Sequence, residues 1–121
     1  MKKILGLMLV AVAFSSQAAF VHPLDFNNSA EQQKVVLDYI KEKVKHEYCD
    51  GPVDLCQPTT LRMMEKENLR AFKELTKATN RPMLDQMIEN YCHSSIDMCN
   101  YITINLMYKE NLKASDEELS W

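Results

Sequence analysis

The sequence predicts an all-α fold: two tandem helix, Cys-loop, helix repeats packed as a compact four-helix bundle with pseudo-twofold symmetry. Three observations carry this. Residues 48–71, YCDGPVDLCQPTTLRMMEKENLRA, align without a gap to residues 91–114, YCHSSIDMCNYITINLMYKENLKA, and eleven of the 24 positions are identical, against about one in sixteen expected from average composition. Each copy holds its own Cys-x6-Cys pair, Cys49 with Cys56 and Cys92 with Cys99. Around these pairs apolar residues recur at helical spacing, between capping residues and prolines.

Residues 1–18 read as a signal peptide and are set apart from the fold. Lys2 and Lys3 form a positive start, Ile4 to Phe14 is apolar, and Ser16-Gln17-Ala18 places small residues at the −3 and −1 positions of a cleavage site,. The mature chain is expected to begin near Ala19. The apolar run is shorter than the ~20 residues that span a bilayer, and no second run follows. The short bacterial style of the signal points to the periplasm. The remaining chain, residues 19–121, is expected to be one domain, with repeat one at about 36–78 and repeat two at about 79–121.

The strap from Ala19 to Asn28 carries Phe20, Val21, Leu24 and Phe26 but also Pro23, so it is expected to lie extended across the bundle; the alternative is a mobile partner-binding arm. Ser29 with Gln32 three residues on is a capping-box start, and Val36, Leu37, Ile40, Val44 and Tyr48 then share one helical face, giving a first helix from about Ala30 to Tyr48. Asp50-Gly51-Pro52 breaks it. Pro58 suits the first turn of a second helix, about Pro58 to Lys77, with a stripe of Leu61, Met64, Asn68, Phe72 and Leu75. Asn80 caps a third, with Pro82 in its first turn, Met83, Met87 and Tyr91 on its stripe and an end near Tyr91. Tyr101, Ile104, Met107, Asn111 and Ala114 mark the fourth. After it, Asp116-Glu117-Glu118 is expected to add a helical turn that folds Trp121 back onto the bundle.

A single helix, loop, helix unit cannot bury its own apolar face, so each is expected to pack on its twin. Four cysteines in an exported chain of about 103 residues read as disulfides,. Pairing within each Cys-x6-Cys is the simplest arrangement, and links between the repeats are the alternative. No zinc site is expected: Cys-x6-Cys is wider than the spacing that places two thiolates on one ion, and His46 and His93 are not at equivalent positions. Redox Cys-x-x-Cys is absent. Asp50, Gly51 and Asp54 lack the ligand spacing of a calcium loop, and His93 stands where Asp50 would repeat. The mature methionines, Met63, Met64, Met83, Met87, Met98 and Met107, read as core filler rather than a copper site. No cofactor is expected.

Asp54 and Asp97 are equivalent and read as helix caps or turn formers. Asn68 and Asn111 fall on the buried stripe and are expected to form a structural polar core, bonded to Cys-loop backbone or to each other. The repeated Lys66-Glu67-Asn68-Leu69 and Lys109-Glu110-Asn111-Leu112, with Tyr48 and Tyr91 before each first cysteine, mark a candidate binding surface. The bland account of the charges is local pairing, Glu67 with Arg70 and Glu110 with Lys113, worth a few tenths of a kcal/mol each.

Function is read by exclusion. Without the leader, 12 basic residues face 17 acidic ones, which argues against a nucleic-acid binder. His22, His46 and His93 fall in separate segments, no Ser/His/Asp grouping is legible, and no catalytic residue is assigned. The expectation is a non-enzymatic periplasmic factor, monomeric or a small homo-oligomer, acting on a protein partner as an inhibitor, toxin-neutralising or envelope-stress protein. The alternative is a small-ligand carrier or small enzyme with a Met/Tyr-lined pocket between the hairpins.

Overall fold

The computed structural model describes residues 19–95 and 97–121. The signal peptide expected over residues 1–18 lies outside them. Four helices pack together: α1 (Ala30–Cys49), α2 (Pro58–Leu75), α3 (Arg81–Cys92) and α4 (Tyr101–Ser115), with no strand among the described residues. α2 packs on both α1 and α4, and α3 packs on α4, so α2 and α4 form the central pair.

The helix starts follow their capping chemistry. Asn28 turns the chain with φ of 60°, a left-handed conformation that asparagine tolerates. Ser29 then accepts the Gln32 N–H, and Gln32 Oε1 reaches back beyond Ser29 to the Asn27 N–H at 2.8 Å. Asn80 accepts from Met83 N and Asn100 from Thr103 N, while α2 starts at Gln57 without a side-chain cap and with Pro58 in its first turn, where a missing N–H costs nothing.

The core is formed by Val36, Ile40 and Val44 of α1, Ala71, Phe72 and Leu75 of α2, Leu84, Met87 and Ile88 of α3, and Tyr101, Ile104 and Tyr108 of α4. Burying each large aliphatic or aromatic side chain contributes roughly 1.5–3 kcal/mol. The expected stripes hold best in α1 and α2, except that Leu37, expected on the buried face of α1, is exposed. In α3 the buried face turns to Leu84 and Ile88, leaving Met83 and Tyr91 half-buried. In α4, which lies between α2 and α3, Asn105 and Tyr108 are buried and Ala114 is exposed. A helix with neighbours on two sides buries a wider face than one stripe describes.

The strap lies across the bundle and bends through a 3₁₀ turn at Pro23–Asp25. Phe20 stacks on Tyr101 and meets Tyr39 edge-on, with centroids 5.3 and 5.6 Å apart. Phe26 meets Phe72 edge-on at 5.0 Å. Arg81 holds Asp25 through both carboxylate oxygens, and His22 Nε2 lies 2.6 Å from Asp85, which ties the strap to the start of α3.

The tail departs from expectation. α4 ends at Ser115, residues 117–121 are not helical, and Leu119 and Trp121 are fully exposed. Trp121 does not fold back onto the bundle. Acidic residues at a helix C-terminus face the negative end of its dipole, so Asp116, Glu117 and Glu118 oppose a further turn.

Candidate binding surface

The two disulfides pair neighbouring cysteines, Cys49 with Cys56 and Cys92 with Cys99, each with Cα atoms 4.5 Å apart. Each crosslink joins the last residue of a helix to a loop that runs extended into the next one. Asp54 and Asp97 sit inside these loops, and the correction concerns their role: the N-caps are Gln57 and Asn100, three residues further on. The extended residues between leave both aspartates too far from the first helical turn. Asp54 Oδ1 accepts from Cys56 N at 3.1 Å, turning the loop rather than capping the helix.

Asp97 takes part in a polar network along α1. The Lys43 ammonium donates to it, the Tyr39 hydroxyl donates to the Cys99 carbonyl, and Asn100 Nδ2 donates to Glu47 Oε1 at 3.3 Å. The last bond joins the residue after Cys99 to one two places before Cys49, so both crosslinked loops flank the C-terminal half of α1. The Lys43 hydrogen bond holds the Asp97 carboxyl below its ordinary range. Burial raises the Glu47 carboxyl, against the Asn100 bond and Lys43, which favour its ionised form. Burial also raises the Tyr39 phenol, helped by the negative charges of Asp97 and Glu47. Each group with acid or base capacity here is engaged by a fixed partner, which suits a structural clamp.

Around the clamp, Val53, Leu55 and Met98 are exposed, at 63, 47 and 40 %. Leu55 and Met98 are 43 residues apart and so occupy equivalent positions in the two loops. Tyr48 and Tyr91, one residue before each first cysteine, are half-buried against the core.

The other expected site residues separate. Asn68 is buried, Asn111 half-buried, and each donates to the carbonyl four residues earlier, Met64 at 2.9 Å and Met107 at 2.8 Å. Asn111 Nδ2 also approaches Met87 Sδ at 3.4 Å. Neither amide bonds to loop backbone or to the other: Asn68 stays within its own helix, and Asn111 adds only the Met87 sulfur of α3. Glu67 and Lys109 come together in a shallow groove of about 200 Å³ between α2 and α4. There Glu67 pairs with Arg70, and Lys109 with Glu74, which Asn105 also contacts at 2.7 Å. The Lys109 and Asn105 hydrogen bonds hold the Glu74 carboxyl low. Lys66 instead borders a separate hollow with Arg62 and Met63, and Glu110 is exposed.

Sequence reasoning missed Tyr39, Lys43, Glu47 and Asn105, because the bonds of each join residues 31 to 60 positions apart. It missed Tyr108 too, whose hydroxyl accepts from Asn80 N at 3.1 Å and fixes the start of α3. Met87 is buried as filler, but Met63 and Met98 are exposed. A groove of about 650 Å³ opens away from Tyr48 and Tyr91, where strap, α1 and α2 meet. Among the described residues no group of three or more His, Cys, Asp and Glu is arranged to hold a metal, and no helix is long and apolar enough to cross a membrane. No protein-family model, curated protein or solved structure matches this chain.

Proposed function

We propose that this protein is an exported, periplasmic, non-catalytic factor that binds a protein partner through its two crosslinked loops and the adjoining half of α1. The observation that carries the proposal is the placement of Val53, Leu55 and Met98, apolar side chains held in solvent on loops closed by disulfides. A crosslinked loop loses less conformational freedom on binding than a free one, which favours affinity. Two disulfides in a small helical chain fit an oxidising compartment, and the leader-like residues 1–18 supply a route there.

The two helix, loop, helix units are read as copies related by an approximate twofold axis. The 43-residue offset, the equal Cys spacings, the central α2–α4 pair and the same backbone bond at Asn68 and Asn111 support this. An inhibitor, a toxin-neutralising protein or an envelope-stress factor all fit a surface of this kind.

The test is crosslinking and affinity capture from periplasmic extract with the wild type and with Val53→Asp/Leu55→Asp/Met98→Asp. A partner held by the wild type and lost by the triple variant, with unchanged helical circular dichroism, is the expected result. A partner retained equally by both would place recognition elsewhere.

A further inference from the structure

The groove of about 650 Å³ at the junction of strap, α1 and α2 has an apolar floor of Phe26, Val36, Leu37, Leu69 and Phe72. Its volume lies within the range of pockets that take drug-sized molecules. The charged residues lining it are Lys73 and Lys77, and neither is engaged in an ion pair among the described residues. The groove therefore offers apolar area beside two uncompensated positive charges.

The segment after α4 has the opposite character. Asp116, Glu117 and Glu118 precede Leu119 and Trp121, both fully exposed. In an extended chain, side chains two residues apart point to one side, so this segment bound in an extended form presents Leu119 and Trp121 together behind an acidic stretch. Glu117 reaches Lys113 only at 4.0 Å.

In this chain residues 117–121 stand clear of the groove, with Leu119 and Trp121 fully exposed, so the groove is open to the same segment of another copy.

We propose that residues 116–121 of one copy dock in this groove of a second copy, with Leu119 and Trp121 on the apolar floor and the acidic residues beside Lys73 and Lys77. The exchange is reciprocal and closes as a symmetric dimer. It uses a surface apart from the crosslinked loops, so it stands or falls independently of the partner-binding role.

Trp121 is the single tryptophan of the chain and reports directly on docking. Tryptophan emission and sedimentation equilibrium are measured on the purified protein across a concentration series. Emission is expected to move to shorter wavelength over the same range in which the mass doubles. Lys73→Glu/Lys77→Glu should weaken dimerisation by about a hundredfold, because the reciprocal exchange loses two exposed pairs at each of two grooves, and added salt should weaken the wild type. Combining those changes with Asp116→Lys/Glu117→Lys/Glu118→Lys should restore the dimer, which a merely structural role for the lysines would not do.

Three results would overturn the proposal. One is a monomer with solvent-exposed emission at every concentration. Another is short-wavelength emission in a monomer, which would mean that the tail docks on its own chain. The third is a dimer that survives removal of residues 116–121.

Discussion

The Tyr101 hydroxyl is bonded to both backbone groups of Val21: it accepts from the Val21 N–H at 3.2 Å and donates to the Val21 carbonyl at 2.9 Å. A fully buried side chain at the start of α4 thus satisfies the strap's backbone. Burial pushes the phenol above its ordinary range, so it stays protonated and able to donate.

Tyr101→Phe should therefore release the strap while leaving the helices in place. The ring remains to stack on Phe20 and to meet Phe72 edge-on, but two part-buried backbone groups lose their partner. A cost of about 1–3 kcal/mol is expected, lowering the melting temperature by roughly 4–20 °C. Hydrogen exchange should speed up at residues 20–26 before it does in α2. Uniform loss of protection along the chain would argue against a locally released strap.

Opening the disulfides should destabilise the fold by a moderate amount. Each closes a loop of eight residues, for which the chain-entropy model gives about 2.5 kcal/mol. Cys49→Ser/Cys56→Ser, unfolded in denaturant beside the wild type, should show a loss of that order with its helices retained. Intact mass of exported protein should show four hydrogens fewer than the reduced chain and a start near Ala19. A chain that retains residues 1–18 after export would contradict the leader.

At Asn68 the amide donates to a carbonyl that the α-helix already supplies with a backbone partner. Asn68→Leu should then be near neutral or stabilising. Asn68→Asp should cost about 3 kcal/mol or more, because it buries a carboxylate without a donor. Thermal melts of the pair check this. A large loss in the Leu variant would show that the amide does more than satisfy its own helix.

The α1 clamp has a pH signature with two opposing signs. Asp97 is held below its unfolded value of about 3.9, so its stabilisation is present above that pH and is lost as pH falls through the folded value,. Glu47 is raised, so its ionisation opposes folding, and that penalty appears as pH rises through its folded value,. Glu47→Gln keeps an acceptor for Asn100 and should be more stable than wild type at pH 7. The difference should vanish below the unfolded glutamate value of about 4.3. Stability curves from pH 2 to 8 provide the check, with a constant difference across that range as the contrary outcome. Lys43→Met should raise the Asp97 titration midpoint, readable by NMR of its carboxyl carbon.

Helix starts were legible where capping is local: Ser29 and Asn80 each reach an N–H three residues on, and Pro58 and Pro82 fall in first turns. The clamp was not legible. Tyr39, Lys43 and Glu47 are ordinary residues for an amphipathic helix, and only the approach of the second loop gives them partners. Asp97 shows the difference within one residue: its place in the repeat suggested a cap, and its contact with α1 made it an ion-pair partner.

The sequence by itself determined what depends on short-range chemistry: helical class, approximate helix ends, the capping-box start at Ser29 and two cysteine pairs close enough in the chain to meet. Tertiary structure decided what depends on which surfaces face each other. It turned the buried faces of α3 and α4, brought the strap's backbone onto Tyr101, drew the second loop against α1 and left Trp121 in solvent. The physical reason is range: capping and periodicity act within a few residues, whereas packing and the clamp join residues tens of positions apart, whose meeting no local pattern encodes.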